Sequence, residues 1–212
     1  MEVITDYFDF TFCINLLSRP DKREESSKEF IKHGLDVVFY EAINGDNIRY
    51  SGPIKKGNIG CSTSHRAVIK LARYRDDETV LIFEDDVAFD DDLNTKFYDW
   101  IKEVPPDWDM LYLGGNHNTK STASQKISEH VLSITNTYTT HAYALRKTVY
   151  DMIITRLENI DLEVDVMYAE IQKQCKAYCF TPRLAWQRPG ISDIWNLPVD
   201  YNFLKDNDGC HK

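Results

Sequence analysis

The chain has 212 residues, 42% of them apolar and 28% charged, a balance that suits a single α/β domain spanning residues 1–212 and excludes a disordered chain. A formal net charge of −9 argues against a nucleic-acid partner, which needs a basic patch, but not against a nucleotide whose diphosphate is neutralised locally. No apolar run approaches the roughly 20 residues of a membrane-spanning helix, and residues 1–9 lack a basic region ahead of an apolar stretch, so a cytoplasmic protein with no membrane span is expected.

In chain order, the apolar β-rich run Phe10 to Leu16 predicts a buried strand, broken by Arg19-Pro20-Asp21. Asp21 and Glu24 have capping-box spacing, which predicts a helix to about Lys32 with Gly34 just beyond it. Val37 to Tyr40 predicts a second short strand. Three glycines and a proline between Gly52 and Gly60 predict a loop, followed by a helix capped by Ser62, Thr63 or Ser64. Val80 to Phe83 is apolar throughout, as a central strand covered on both faces would be, and it runs straight into Glu84-Asp85-Asp86.

Further on, a helix is expected within Leu93 to Lys102 and a strand at Met110 to Leu113, ending at Gly114-Gly115. The polar stretch Asn116 to Glu129 predicts a surface loop. Strands at Val131 to Thr135 and Ala142 to Leu145, helices at Lys147 to Leu157 and Val164 to Gln174, and a closing strand at Ala177 to Phe180 complete the alternation. That alternation implies an α/β fold with a mostly parallel central sheet and helices on both faces. Ligands of such sheets bind beyond the carboxyl ends of the strands, which places Asn15 to Arg19, Glu84 to Asp86 and Gly114-Gly115 along one edge.

Three consecutive acids at the exit of a buried strand repel one another unless a cation compensates them. A hard divalent ion such as Mn²⁺ or Mg²⁺ takes oxygen ligands and bridges to diphosphate oxygens, and Glu84 and Asp86 have acid-x-acid spacing. An acidic turn that merely caps the next element is the plainer reading. Arg19, Arg23, His65 and Arg66 are candidates to meet phosphates, the last two in the first turn of the helix expected after Gly60. Of the five cysteines, Cys175 and Cys179 would share a helix face only if that helix continued. No second ligand pair follows at a zinc spacing, and an odd count without a signal sequence fits reduced thiols.

The segments CINLLSRPDKRE (13–24), IGCSTSHRAVIKLA (59–72), LIFEDDVAF (81–89), DMLYLGG (109–115), THAYALRKTVYDMI (140–153), DLEVDVMY (161–168) and TPRLAWQRPGISDI (181–194) arrive in an order that resembles glycosyltransferase family 25. That family includes lipooligosaccharide and procollagen β-galactosyltransferases. The resemblance implies a GT-A, Rossmann-like fold, a nucleotide-sugar donor such as a UDP-hexose, Mn²⁺ (or Mg²⁺) dependence, and a glycan or glycoprotein acceptor. It implies Asp86 as the main metal ligand, with Glu84 assisting. It directs Glu84 and Asp85 toward the ribose and sugar, and Asn15, Leu16 and Arg19 toward the base and diphosphate. Ser64 and His65 match the family's Ser-His pair, although Lys56 to Cys61 lacks the acid usual in the stretch before it.

An inverting transfer needs a base for the acceptor hydroxyl. Asp165 matches the family's Val-Asp segment and Asp193 is its rival; a plain helix cap is the simpler role for Asp165. Trp186, Trp195 and Tyr143 are candidates for stacking on a sugar, with core packing the commoner use. Two other functions compete. A sugar nucleotidyltransferase usually carries a glycine-rich phosphate loop after its first strand, and Leu16 to Glu24 has no glycine. A binding module without turnover would have less need of the acids, His65 and Asp165 together.

Overall fold

Alternation of side chains along the central strands sorts the apolar residues into two layers, and the fold follows from covering both. The computed structural model describes residues 2–117 and 124–202. Strands β1 (Phe10–Asn15), β2 (Val38–Glu41), β3 (Thr79–Glu84) and β4 (Val87–Phe89) alternate with helices α1 (Pro20–His33) and α2 (Lys56–Arg75). Helix α3 (Leu93–Trp100) leads to β5 (Met110–Tyr112), β6 (Asn116–His117), β7 (Ser124–Lys126), β8 (Val131–Ile134), β9 (Thr137–Tyr138) and β10 (Ala142–Arg146). Helices α4 (Lys147–Arg156) and α5 (Val164–Gln172) then precede β11 (Ala177–Phe180), β12 (Ala185–Gln187), β13 (Gly190–Ile191) and β14 (Pro198–Val199).

The main sheet has the order β2-β1-β3-β10-β5-β11-β8-β7. Among the described strands, only β8 and β10 run against the common direction, so the sheet is mostly parallel, as expected. Phe12, Ile14, Val80, Ile82, Tyr112, Tyr143 and Leu145 face one layer, packed by α2, α4 and α5. Cys13, Leu81, Phe83, Leu111, Ala142 and Ala144 face the other, packed by α1 and α3. Burying each large apolar side chain contributes about 1.5–3 kcal/mol, which is why β3 is apolar on both sides rather than alternating with polar residues.

Several local expectations change. Helix α1 starts with Pro20 at its first position and Arg19 as cap residue, so Asp21 is not the cap. Proline needs no amide partner there. The left-handed Gly34 (φ 69°) ends the helix as expected. Helix α2 begins at Lys56, so the predicted loop from Gly52 is helical over its second half. Ser62, Thr63 and Ser64 are interior to it, and Thr63 and Ser64 donate to the carbonyls of Ile59 and Gly60. Glycine recurs there because the helix meets backbone: a Cβ at Gly60 would stand 2.5 Å from the Ile43 carbonyl oxygen and 2.6 Å from the Gly45 nitrogen.

β11 does not close the sheet but lies inside it, with β8 and β7 beyond. The predicted loop from Asn116 contributes β6 and β7, and residues 118–123 lie outside the described set. Helix α5 ends at Gln172, so Cys175 and Cys179 share no helix face, and Cys179 is buried on β11. Among the described residues no helix is long and apolar enough to cross a membrane.

Candidate functional site

The strand ends of β1 and β3 open into a cleft of about 250 Å³, walled by α2, the start of α5 and the segment 187–201. Glu84, Asp85 and Asp86 turn from β3 into β4 at its floor. The turn is gripped from behind by Arg188: its backbone amide donates to the Asp86 carbonyl (2.7 Å), and its guanidinium donates to the carbonyls of Asp85 (2.8 Å) and Val87 (2.5 Å). Arg188 reaches this position because β12, which ends at Gln187, pairs antiparallel with β4.

The three acids have different surroundings. Glu84 Oε1 accepts from Thr140 Oγ1 (2.5 Å) and lies 3.2 Å from His65 Nε2. Burial pushes the Glu84 carboxyl up, but the His65 and Thr140 hydrogen bonds and the imidazole's charge outweigh it and hold the group below its ordinary range. Asp85 accepts from Asn15 Nδ2 at 2.8 Å and lies 3.5 Å from Lys22 Nζ; burial is the main cause that raises its carboxyl. Asp86 is left nearly bare. Among the described residues its Oδ1 is buried with no hydrogen-bond partner, and Oδ2 meets Gln187 at 3.5 Å and Lys22 at 3.8 Å.

Burial, followed by the charges of Glu84 and Asp85, pushes the Asp86 carboxyl up to about 7 despite Lys22. An orphan oxygen on an undercompensated carboxylate fits a hard divalent cation, which Asp86 and Glu84 would be the residues to hold.

Lys22 was not singled out by its sequence position, yet it is the cation at the centre of the cleft. Its Nζ lies 2.8 Å from Asp193 Oδ2 as well as near Asp85 and Asp86. Burial works against its charge, but Asp86, Asp85 and Asp193 more than offset that and raise its pKa. Asp193 is engaged twice, since Arg19 also donates to its Oδ1 at 2.5 Å. Arg19 further pairs with Asp21 and lines an adjoining depression rather than the main cleft.

Asp165 enters from the first turn of α5, beside the cap residue Glu163 rather than as the cap itself. Its Oδ2 accepts from the Thr139 amide (3.2 Å) and its Oδ1 from the Val166 amide (2.9 Å). Burial is the chief cause that raises its carboxyl. Thr139 sits at φ 70° in the left-handed region, which costs a β-branched residue about 1–3 kcal/mol and aims its amide at Asp165.

The remaining sequence candidates divide. Leu16, Ser64 and His65 line the cleft with the acids, while Asn15 reaches it through Asp85. Ser64 is committed to structure, donating to the Gly60 carbonyl and accepting from the Ile43 amide at 2.8 Å. His65 and Arg66 lie about two and a half turns inside α2, not in its first turn, and Arg66 pairs with Glu158 outside the cleft. Gly114 and Gly115 follow β5 but pack against Ala185, Arg183 and Thr137, because a Cβ on either would collide there. Tyr143 is fully buried and meets His65 Nδ1 through its hydroxyl (2.7 Å), so it presents no face to a sugar. Trp186 is not on the cleft wall, whereas Trp195 is, with Lys55 Nζ 3.4 Å above its ring. Lys22, Gln187, Arg188 and Thr140 escaped the sequence-based assignments; the signal for Lys22 was the need of three adjacent acids for a nearby cation.

The family model described as glycosyltransferase family 25 (LPS biosynthesis protein) matches residues 8–201. The procollagen lysyl hydroxylase and glycosyltransferase of Acanthamoeba polyphaga mimivirus is 29% identical over 163 residues, 64% of this chain and 18% of that protein. Homo sapiens procollagen galactosyltransferase 2 is 30% identical over 129 residues, 50% of this chain and 21% of that protein. The Homo sapiens inactive glycosyltransferase 25 family member 3 is 30% identical over 206 residues, 83% of this chain and 34% of that protein. This chain thus spans about a third or less of the length of these relatives. A solved glycosyltransferase involved in the glycosylation of the major capsid of PBCV-1 aligns with a TM-score of 0.45 and 9% identity, over 82% of this chain and 93% of that one. From the match across residues 8–201, the chain belongs to glycosyltransferase family 25.

Proposed function

We propose that this chain transfers a hexose from a uridine diphosphate donor to a hydroxyl of a glycan or glycoprotein, with inversion at the anomeric carbon. The observation that carries the reading is Asp86: a buried carboxylate with an orphan oxygen, held beside Glu84 at the mouth of a strand in a walled cleft. Mn²⁺ or Mg²⁺ at Asp86 and Glu84 would supply Lewis-acid neutralisation of the charge on the departing diphosphate.

The chain's own residues do the rest. Asp85, fixed by Asn15, is placed to accept hydrogen bonds from donor hydroxyls. Lys22 and Arg19 supply positive charge on the side of the cleft where the diphosphate would lie. Asp165 removes the acceptor hydroxyl's proton, its oxygens oriented by the Thr139 and Val166 amides. Asp193 is not assigned this role, because both of its oxygens face cations. Trp195, on the wall with one side partly open, offers the acceptor an apolar face. Galactose is the first donor sugar to try, because procollagen galactosyltransferases are among the relatives.

A second reading, donor binding without turnover, draws on the relatives named inactive. One assay separates the two. Incubation with a panel of UDP-sugars and Mn²⁺ should release UDP, and EDTA should stop the release. No release with any donor, alongside measurable donor binding, would favour the binding module.

A further inference from the structure

We propose a second metal site, for a thiophilic divalent ion of the zinc class, formed by Cys61 Sγ, His65 Nε2 and the Glu84 carboxylate. These three ligand atoms lie within 4.8 Å of one another on the inner wall of the cleft. The site is separate from the hard-ion position at Asp86, with which it shares only Glu84.

Helix geometry supplies two of the ligands. Cys61 and His65 are four residues apart near the middle of α2, so both project from the same face. Glu84 comes to them at the end of β3. Tetrahedral zinc bonds of about 2.0–2.3 Å set ligand atoms roughly 3.3–3.7 Å apart, so the cluster, whose atoms lie within 4.8 Å of one another, must contract by at most about 1.5 Å.

The histidine is already prepared. His65 is fully buried, and its Nδ1 lies 2.7 Å from the Tyr143 hydroxyl, which in turn contacts the Tyr168 hydroxyl at 3.1 Å. A histidine oriented through one ring nitrogen presents the other as a ligand, which is the usual outer-shell arrangement of metal-bound imidazole. Here Nε2 is turned toward Glu84, 3.2 Å from its Oε1. Three protein ligands leave a fourth position facing the cleft, as in open zinc sites.

Sulfur decides the class of ion. Thiolate and imidazole favour zinc and its neighbours, whereas carboxylate oxygens such as those of Asp86 favour manganese or magnesium. On binding, the Cys61 S–H bond breaks and the sulfur's electron pair goes to the metal, while His65 gives up its Nε2 proton and keeps Nδ1–H toward the Tyr143 hydroxyl, so that both released protons leave to solvent. The ion then competes with His65, Thr140 and any bound donor for the Glu84 carboxylate.

Cobalt(II) titration tests the site without an activity assay. Wild-type protein should bind one ion that gives a sulfur-to-metal charge-transfer band, and zinc should displace it. Cys61→Ser should lose the band, and Tyr143→Phe should weaken zinc binding about 10–100-fold by freeing the imidazole. Asp86→Asn should keep the band, and failure there alone would mean a single composite site and overturn the proposal. Because substitutions inside α2 can unfold the helix, alkylation of the wild-type protein provides a check. Zinc, but not manganese, should protect Cys61 from iodoacetamide in peptide mass spectra. Equal labelling with and without zinc, or a cobalt complex lacking the band, overturns the site. Neither result would touch manganese-dependent UDP release, so the two ideas fail separately.

Discussion

Burial raises both Asp165 and Asp86, and what separates the two carboxylates is their hydrogen-bond partners. At Asp165, two backbone amides keep the group oriented while burial raises its proton affinity, a combination suited to a general base. Asp165→Asn preserves shape but cannot accept the proton. Donor affinity should stay unchanged while turnover falls about 10²–10⁴-fold; calorimetry and UDP release measured on the same preparation would show near-normal turnover if another group is the base.

At Asp86 the carboxyl moves from an ordinary 3.8 to about 7 in the metal-free protein. A raised acid binds its proton more tightly when folded, so this group's contribution to stability is complete below pH ~4 and is lost as pH rises toward ~7. Glu84, held below its ordinary 4.5, has the opposite slope, but only at pH below that value. Melting temperatures in EDTA should therefore decline between pH ~4 and ~7 and level off above. Asp86→Asn or added Mn²⁺ should flatten that decline, and identical profiles with and without the substitution would remove Asp86 as its source.

Among the elements, α2 shows how a glycine can serve packing instead of flexibility. Alanine is normally the better helix former by about 1 kcal/mol, yet a methyl at position 60 would press into the backbone of Ile43 and Gly45. Gly60→Ala should therefore destabilise the protein by about 1–3 kcal/mol, seen as a lower urea midpoint at constant slope. A raised midpoint would mean that the 43–45 loop yields easily. The same residues explain why the start of α2 was illegible in the sequence. Gly52, Gly57 and Gly60 resemble a loop because nothing local reveals that Gly57 abuts Ile194 and Gly60 abuts Ile43. By contrast β3 was legible to within a residue at each end, since an apolar run followed by three acids carries its own boundary. The acids at the cleft floor were legible for that reason. Lys22 was not, because its partners are 63 or more residues away and the helix that carries it resembles a solvated one.

On the scale of the whole molecule, the cleft is completed last in the chain, by the segment that follows β12. Its hairpin leaves Ile191, Trp195 and Leu197 about half or more exposed and is tied down chiefly by polar contacts. These are Asp193 with Arg19 and Lys22, and Lys55 over Trp195. So few buried apolar contacts predict low local stability. Amide hydrogen exchange should be fast over residues 190–199 in the free protein and slow markedly with UDP-sugar and Mn²⁺; unchanged exchange would place this segment outside the donor's influence. The reversed direction of β10, which expectation from simple alternation did not supply, matters equally. It starts at the edge where β3 ends, and so delivers Thr139 and Thr140 to the acids. Lys22 approaches those acids from the α1 layer and His65 from the α2 layer, on opposite sides of the sheet. The spacing between these two side chains therefore depends on how both helix layers sit on the sheet. Misplacement by about an ångström can cost a reaction 10²-fold, so a slight swelling or slippage of either layer is felt at the cleft well before the fold gives way.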